Sequence, residues 1–487
     1  MKSTSCHRHE VVLSRREALV RSGSGLGAIA LGSLLSDGVA TASPNSAGAP
    51  PIGGANPLAP KTPHFAGKAR AVISLFMQGG PAQMDSFDPK PQLQRLDGQP
   101  LPASFKSDDL KLQFMSATGG TLMGSPFAFQ KRGASGLEIS DLFPQLATMA
   151  DDLAVVRSCY HESFIHGPAL SLMHSGNVLL GHPSVGSWVV WGLGCESDNL
   201  PAFMVMTDGV IRGSSSAYSS GFLPAVYQGT LVGTQGAPIQ NLAPPPQISR
   251  AQQRTMLDQI GRWNQQHLDA RNDDSNLAAR IANFELAFRM QAAAPELIDL
   301  ADEPRAIRER YGIDAEPTAR FGRMCLLARR MVERGVRFVE LYSNDWDGHG
   351  DCPGNHRDNA HKTDRPIAAL LANLKDRGLL DSTLVLWTGE FGRTPVMQGN
   401  KGRDHNPYGF SAWLAGGGVH GGKAIGATDE LGFRAVDDRV HVHDLHATML
   451  SLLGLDHEQL SYLFEGRRRR LTDVGGQNNL AERLMRA

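Results

Sequence analysis

Several short stretches of the chain are nearly unbroken apolar runs. AVISLFM (Ala71–Met77), AVVRSCY (Ala154–Tyr160), NLPAFMVMT (Asn199–Thr207), VRFVELYS (Val336–Ser343) and STLVLWTGE (Ser382–Glu390) have the pattern of strands buried on both faces. Between them, apolar residues recur at spacings of three and four. RIANFELAFRMQ, FGRMCLLARRMVERG, PIAALLANLKDRGL and DLHATMLSLLGL predict helices, as does DLFPQLATMADDL, and HGPALSLMHSG (His166–Gly176) reads as a turn entering one. Gly335 ends the best of these helices and leads straight into VRFVELYS. Helices alternating with buried strands predict an α/β fold, a mostly parallel sheet covered by helices on both faces.

Where the periodicity fades, composition takes over. Residues 43–66 are rich in Pro, Gly, Ala and Ser and read as a flexible linker. Asp208–Pro246 is rich in Gly, Ser and Pro and reads as long loops, part of a loop-rich insertion at about 208–315 in a single domain over 67–487. Residues 1–42 have the order of a twin-arginine signal: SRREAL (Ser14–Leu19), the modest apolar core GLGAIALGSLL, then ATA (Ala40–Ala42). The expectation is export, already folded, to the periplasm or the extracellular space. No later apolar run is long enough to span a bilayer.

The formal net charge is −1, which gives no global basic field and argues against a nucleic-acid partner. Beyond Cys6, the thiols Cys159, Cys195, Cys325 and Cys352 lack CxxC spacing, so one or two disulfides or buried free thiols are the alternatives. No motif speaks to oligomeric state.

Ligands of parallel sheets bind at the carboxyl ends of strands, and the polar clusters fall there. QGGP (Gln78–Pro81), HESFIHGP (His161–Pro168), NDWDGHG (Asn344–Gly350) and GEFGR (Gly389–Arg393) each follow a predicted strand. In NDWDGHG the glycines and Asn344 suit a turn, while Asp345, Asp347 and His349 are hard and borderline metal ligands. A polar loop with capping carboxylates is the plainer reading. Glu390 and Arg393 are either a strand-end ion pair or a ligand with an anion fork. Asp444 reads as a helix N-cap, His446 as structural, and the basic run Arg467–Arg470 as a solvated face.

The ordered set NDWDGHG, TGEFGRTP, GRDHNP, LAGGGVHGG and VHDLHATMLSLLG resembles the alkaline phosphatase superfamily, which includes sulfatases and cofactor-independent phosphoglycerate mutases. More narrowly, MQGGPAQMDSFDPKP, RGLLDSTLVLWTGEFGRTP and GRRRRLTDV are similar to the domain of unknown function family 1501. The superfamily resemblance implies one or two divalent ions, zinc or manganese rather than calcium, acting on a small anionic ester. Asp345 and His349 match a D-x-x-G-H metal pattern, with Asp347 outward or behind it, and His405 in RDHNP completes the shell. For a second ion, Glu390 falls on a family Asp, whereas Phe391 stands at a family His and Gln78 at a family Asp. Asp85, Asp404 or His443 would then be substitutes. His166 stands where sulfatases carry Cys or Ser, so the resemblance leaves attack to water, His166 or Ser163, with Arg393 clamping the anion. The implied function is hydrolysis of phosphate or sulfate esters; the alternative is a non-catalytic binding protein on the same fold.

Overall fold

Strands without a polar face have to be covered on both sides, and these runs form the middle of the observed sheet. In the computed structural model, which describes residues 56–105, 120–233, 247–269 and 275–486, nine strands form one sheet. They are β1 (Ala71–Met77), β2 (Ala154–Tyr160), β3 (Phe203–Thr207), β4 (Thr230–Val232), β5 (Phe338–Ser343), β6 (Thr383–Thr388), β7 (Phe410–Ala415), β8 (Lys423–Ile425) and β9 (Val440–His441). The order is β8-β2-β7-β6-β1-β5-β3-β4, with β9 beside the end of β2. Every residue of β1, β5 and β6 is buried. All neighbours pair in parallel except β7, which runs against both β6 and β2.

Alternation along β1 divides the core in two. Ile73 and Leu75 face helices α3 (Ala319–Glu333) and α4 (Cys352–Asp376), among Met324, Ile367 and Leu370. Val72 and Phe76 face the opposite layer of α1 (His166–Ser175), α2 (Val185–Leu193) and α5 (Val442–Leu452), among Leu170, Trp188 and Leu450. The sheet is thus covered on both faces, as the run pattern predicted.

One buried polar knot ties α1 to β5. Glu340 accepts hydrogen bonds from Ser74 Oγ (3.3 Å) and Tyr342 OH (3.1 Å), and His174 Nδ1 lies 3.3 Å from its carboxylate. Low-dielectric surroundings favour such groups only when all are partnered.

Several expectations change. The targeting segment 1–42 and residues 43–55 lie outside the described residues. Residues 56–66, expected as linker, are fastened to the body: Lys61 N donates to Leu193 O, Cys195 N to Leu58 O and Phe65 N to Gly454 O. The insertion at about 208–315 carries the helices Arg250–Asp269, Ser275–Ile298 and Arg305–Tyr311, the second of which contains the RIANFELAFRMQ run read as a helix. The helix expected in DLFPQLATMADDL is a 3-10 turn, Leu146–Asp152. The four cysteines among the described residues are free and buried. Among the described residues no helix is long and apolar enough to cross a membrane.

Burial keeps several histidines neutral. It lowers His356 and His446 to about 3, and each has a ring nitrogen bonded to backbone: His356 Nε2 accepts from Ala82 N, and His446 Nε2 lies 2.8 Å from Met173 O. In the unfolded chain these rings titrate near about 6.5, so the unfolded state binds more protons between that pH and the folded values. Their contribution is present above about pH 6.5 and is lost as pH falls toward the folded pKa values. The urea midpoint should therefore drop between pH 6.5 and 4, and less steeply in His446→Gln. An identical pH slope in the variant would show that His446 makes no such contribution.

Candidate metal centre

The loop after β5 is organised by Trp346. Its ring is fully buried, packs on Phe143 and His356, and its backbone N donates to Gln78 O at 3.0 Å. Asp345, just before it, has a left-handed backbone, φ 72°, and an exposed side chain. Its carbonyl accepts from Asn355 and Asn359 Nδ2 (2.5 and 2.8 Å). With Trp346 driven into the core, Asp345 is left outside and Asp347 comes into the site. The expected ligand pair is corrected accordingly: Asp347 replaces Asp345.

Asp347 meets three imidazoles. His166, Asp347, His349 and His405 bring ligand atoms within 4.8 Å of one another, and among the described residues this is the one such cluster. Nε2 of His166 lies 3.1 Å from Asp347 Oδ2; Nε2 of His349 and His405 lie 3.0 and 3.3 Å from Oδ1, and 2.9 Å from each other. His166 opens α1 behind an extended Ile165. His405 comes from the hairpin Gly392–Gln398/Gly402–Asn406, where a register break between Arg403 and His405 turns the strand and pairs His405 with Arg393.

The outer ring nitrogens decide the tautomers. His166 Nδ1 lies 2.7 Å from Glu390 Oε1, His405 Nδ1 3.0 Å from Phe164 O, and His349 Nδ1 2.6 Å from Gln398 Oε1. Each partner is an acceptor, so with a cation among the inner donors each Nδ1 would carry the proton and each Nε2 would present a lone pair, whereas without one an Nε2 proton can meet Asp347 instead. Three imidazole nitrogens and a carboxylate converging on one point suit a cation among them. A donor set of this kind, its outer nitrogens held by a carboxylate and carbonyls, fits a divalent transition metal.

Charge within the cluster is divided. Burial opposes the ionised form of Asp347, but the three imidazoles and the Arg393 guanidinium outweigh it and hold the carboxyl far below the usual range. Burial lowers His405 to about 4, with Arg393 and His166 adding to that direction against the Asp347 hydrogen bond. His166 is also disfavoured by burial, yet hydrogen bonds to Asp347 and Glu390 raise it above its ordinary value.

The remaining expected site residues are placed elsewhere. Glu390 is fully buried, accepts from Gly79 N with both oxygens (3.0 Å each), and holds His166 from behind instead of joining a second shell. Arg393, expected as the anion clamp, has no exposed surface. Its Nε donates to Gly80 O (2.9 Å), Nη1 to Arg403 O (3.0 Å), and Nη2 to Gly79 O and Asp347 Oδ1 (2.6 Å to the latter). Its fork is occupied. Asp85 is buried in an ion pair with Arg403 (3.2 Å). Asp404 accepts from His405 N (2.8 Å) and lies outside the cluster. His443 Nε2 faces Gly176 O at 2.9 Å, at the far end of α1. Asp444 is the third residue of a capping box with His441, not the N-cap itself. Ser163 Oγ bonds within its own turn, to Ile165 O at 3.4 Å. Phe391 stacks on the His405 ring with centroids 4.3 Å apart, and His166 lies at 5.0 Å on it.

Residues 69–484 match the family described as Protein of unknown function (DUF1501). The chain belongs to this family. No curated protein matches it. Among solved structures this DUF1501 chain is similar to the lipoteichoic acid synthase LtaP from Listeria monocytogenes, with 10% identity over 81% of this chain and 74% of that one and a TM-score of 0.36. It is also similar to PsFucS1 sulfatase from Pseudoalteromonas sp., 13% over 80% and 69%, TM-score 0.35. A third is alkaline phosphatase from the Antarctic bacterium TAB5, 10% over 80% and 99%, TM-score 0.33.

Sequence reading of the DUF1501 chain missed Arg212, whose Nη1 donates to Asp347 Oδ2 at 3.0 Å, and Gln398. Gln398 sits at the end of a strand with no distinguishing neighbours, and Arg212 lies in a stretch without periodicity. Asp347, read as outward or behind the pair, did carry a signal, its i, i+2 spacing to His349. Because Glu390 fixes the His166 tautomer, Glu390→Gln should weaken metal affinity by about 10–100-fold. Competition with a metal indicator measures it; unchanged affinity would sever Glu390 from the centre.

Proposed function

We propose that this protein is an exported, metal-dependent hydrolase of phosphate or sulfate esters. The observation that carries the reading is the convergence of three imidazole nitrogens and the Asp347 carboxylate at the carboxyl ends of the central strands. That is where ligands of such sheets bind. His166, Asp347, His349 and His405 would hold one divalent ion. Nitrogen-rich donors with one carboxylate suit zinc or manganese better than calcium, which prefers oxygen throughout. When bound, the ion would supply Lewis acidity toward an ester oxygen and make water a better nucleophile.

The chain's own residues have separate tasks. Glu390 keeps the proton on His166 Nδ1. Arg393 keeps Asp347 ionised and joins the Gly79–Gly80 turn to it. Phe391 covers the His405 and His166 rings and keeps water from that side. With His166 committed to the cluster and Ser163 bonded in its turn, attack on the ester falls to water, giving an alcohol and free phosphate or sulfate.

One observation favours a second reading, a non-catalytic binding protein outside the cytoplasm. Four protein donors are enough to close a tetrahedral structural site. Metal analysis and turnover distinguish the two. On the hydrolase reading, purified protein carries about one ion per chain and cleaves aryl phosphate or sulfate, and His349→Ala loses both ion and turnover. A full complement of ion with no turnover across added Zn, Mn and Ca supports the second reading. Export is checked separately, by fractionating cells of a host with twin-arginine machinery: Arg15→Lys with Arg16→Lys should keep the protein in the cytoplasm. Delivery of that variant outside would defeat the export assignment.

A further inference from the structure

The residues expected to surround a second ion have other partners: Glu390 with His166 and Gly79, Asp85 with Arg403, Asp404 with the His405 backbone. Gln78 also ends β1 at this point, and its carboxamide is taken up by a different task. Oε1 accepts from Arg212 N at 2.8 Å; Nε2 donates to Val210 O at 3.0 Å and Asn344 Oδ1 at 2.6 Å. Both backbone groups flanking Ile211 are thus pinned to the end of β1, and Ile211 itself is buried. Asn344, at the end of β5, fastens the other side of the same segment: its N and Nδ2 both donate to Asp208 Oδ1 at 2.9 Å, and Nδ2 to Thr207 Oγ1 at 3.0 Å. Residues 207–212 therefore form a strap laced across the ends of two central strands.

The strap delivers one charged group to the site. Arg212 extends to Asp347 with Nη1, and its side chain remains 35% exposed. Its side-chain hydrogen bonds among the described residues go to Asp347 alone, so Nε and Nη2 keep donors for another acceptor. Arg393 contacts the other oxygen of the same carboxylate but is fully enclosed, with each of its three nitrogens already bonded. A planar fork beside this group of ligand side chains matches a tetrahedral anion with two free oxygens.

Building on the hydrolase reading for its substrate class, we propose that Arg212 binds the anionic group of the ester, so that a one-ion centre plus this guanidinium does the electrostatic work of two ions. Gln78 is the positioning residue for it. The substrate must present at least two non-bridging oxygens to Arg212, as phosphate and sulfate monoesters do.

The test compares wild type, Arg212→Ala and Arg212→Lys as full-length metal-loaded protein. Ions per chain are counted, inorganic phosphate and sulfate binding is measured by calorimetry, and KM and kcat are measured on an aryl ester. The expected result is one ion per chain in all three, with anion affinity weakened and KM raised by about 10–100-fold in Arg212→Ala. Added guanidinium should restore part of both, and Arg212→Lys should fall between. Unchanged anion affinity in Arg212→Ala, two ions per wild-type chain, or no anion binding by the wild type would each overturn the proposal. Arg212-dependent phosphate binding with no ester turnover would leave it standing and sink the hydrolase reading.

Discussion

The charge on Asp347 is the interaction on which the centre depends. Two guanidinium groups and three imidazole rings approach this carboxylate, and only a full negative charge makes that crowd favourable in a half-buried place. Remove it, and the enclosed Arg393 guanidinium keeps only neutral carbonyl partners, an arrangement whose cost is that of an unpaired buried charge. The same carboxylate lets neighbouring histidines behave differently. His166, between Asp347 and Glu390, gains affinity for a proton, while His405, more deeply enclosed, loses it.

Around that charge lies a frame of polar groups that are structural in task although their residue types suggest chemistry. Arg393 laces the Gly79–Gly80 turn to the hairpin through three carbonyls. Gly79 permits this because its backbone has φ +121° and an added Cβ would meet the Asp347 backbone N at 2.5 Å. Gln78 holds the strap and Glu390 holds a ring. Gln78 and Glu390 follow the ends of β1 and β6 and Arg393 lies at the start of the hairpin, where backbone groups leave the sheet ladder and need new partners. A buried Arg or Gln is the economical way to satisfy several carbonyls or amides at once.

The fold was largely legible because its central strands are apolar on both faces, a pattern that neither a half-solvated strand nor an amphipathic helix produces. The short edge strands Thr230–Val232 and Lys423–Ile425 were not, since so few residues carry no periodicity of their own. In the site, residue type was readable and direction was not. DWDGH offers two carboxylates, and the choice between Asp345 and Asp347 rests on Trp346 being buried and Asp345 adopting a left-handed backbone. Both are tertiary outcomes. The two arginines show the same limit: Arg393 stood in a recognisable motif yet is consumed internally, whereas Arg212 arrives from a featureless segment because Gln78 and Asn344 hold it there.

The provenance of the donors also bears on when the centre comes into existence. His166 is 181 residues from Asp347, and His405 another 58 beyond. They sit on a helix start, a loop after one strand and a hairpin, so no local fragment of the chain presents even three of them together. Closing such loops is entropically unfavourable until the sheet itself provides the contacts. An ion therefore cannot nucleate this fold in the manner of a zinc finger; it can bind only once β2, β5 and the hairpin are already in register. Occupancy would then certify that assembly is complete, and it would hold the chain in its native state, since a ligand that binds only the folded state shifts the equilibrium toward it.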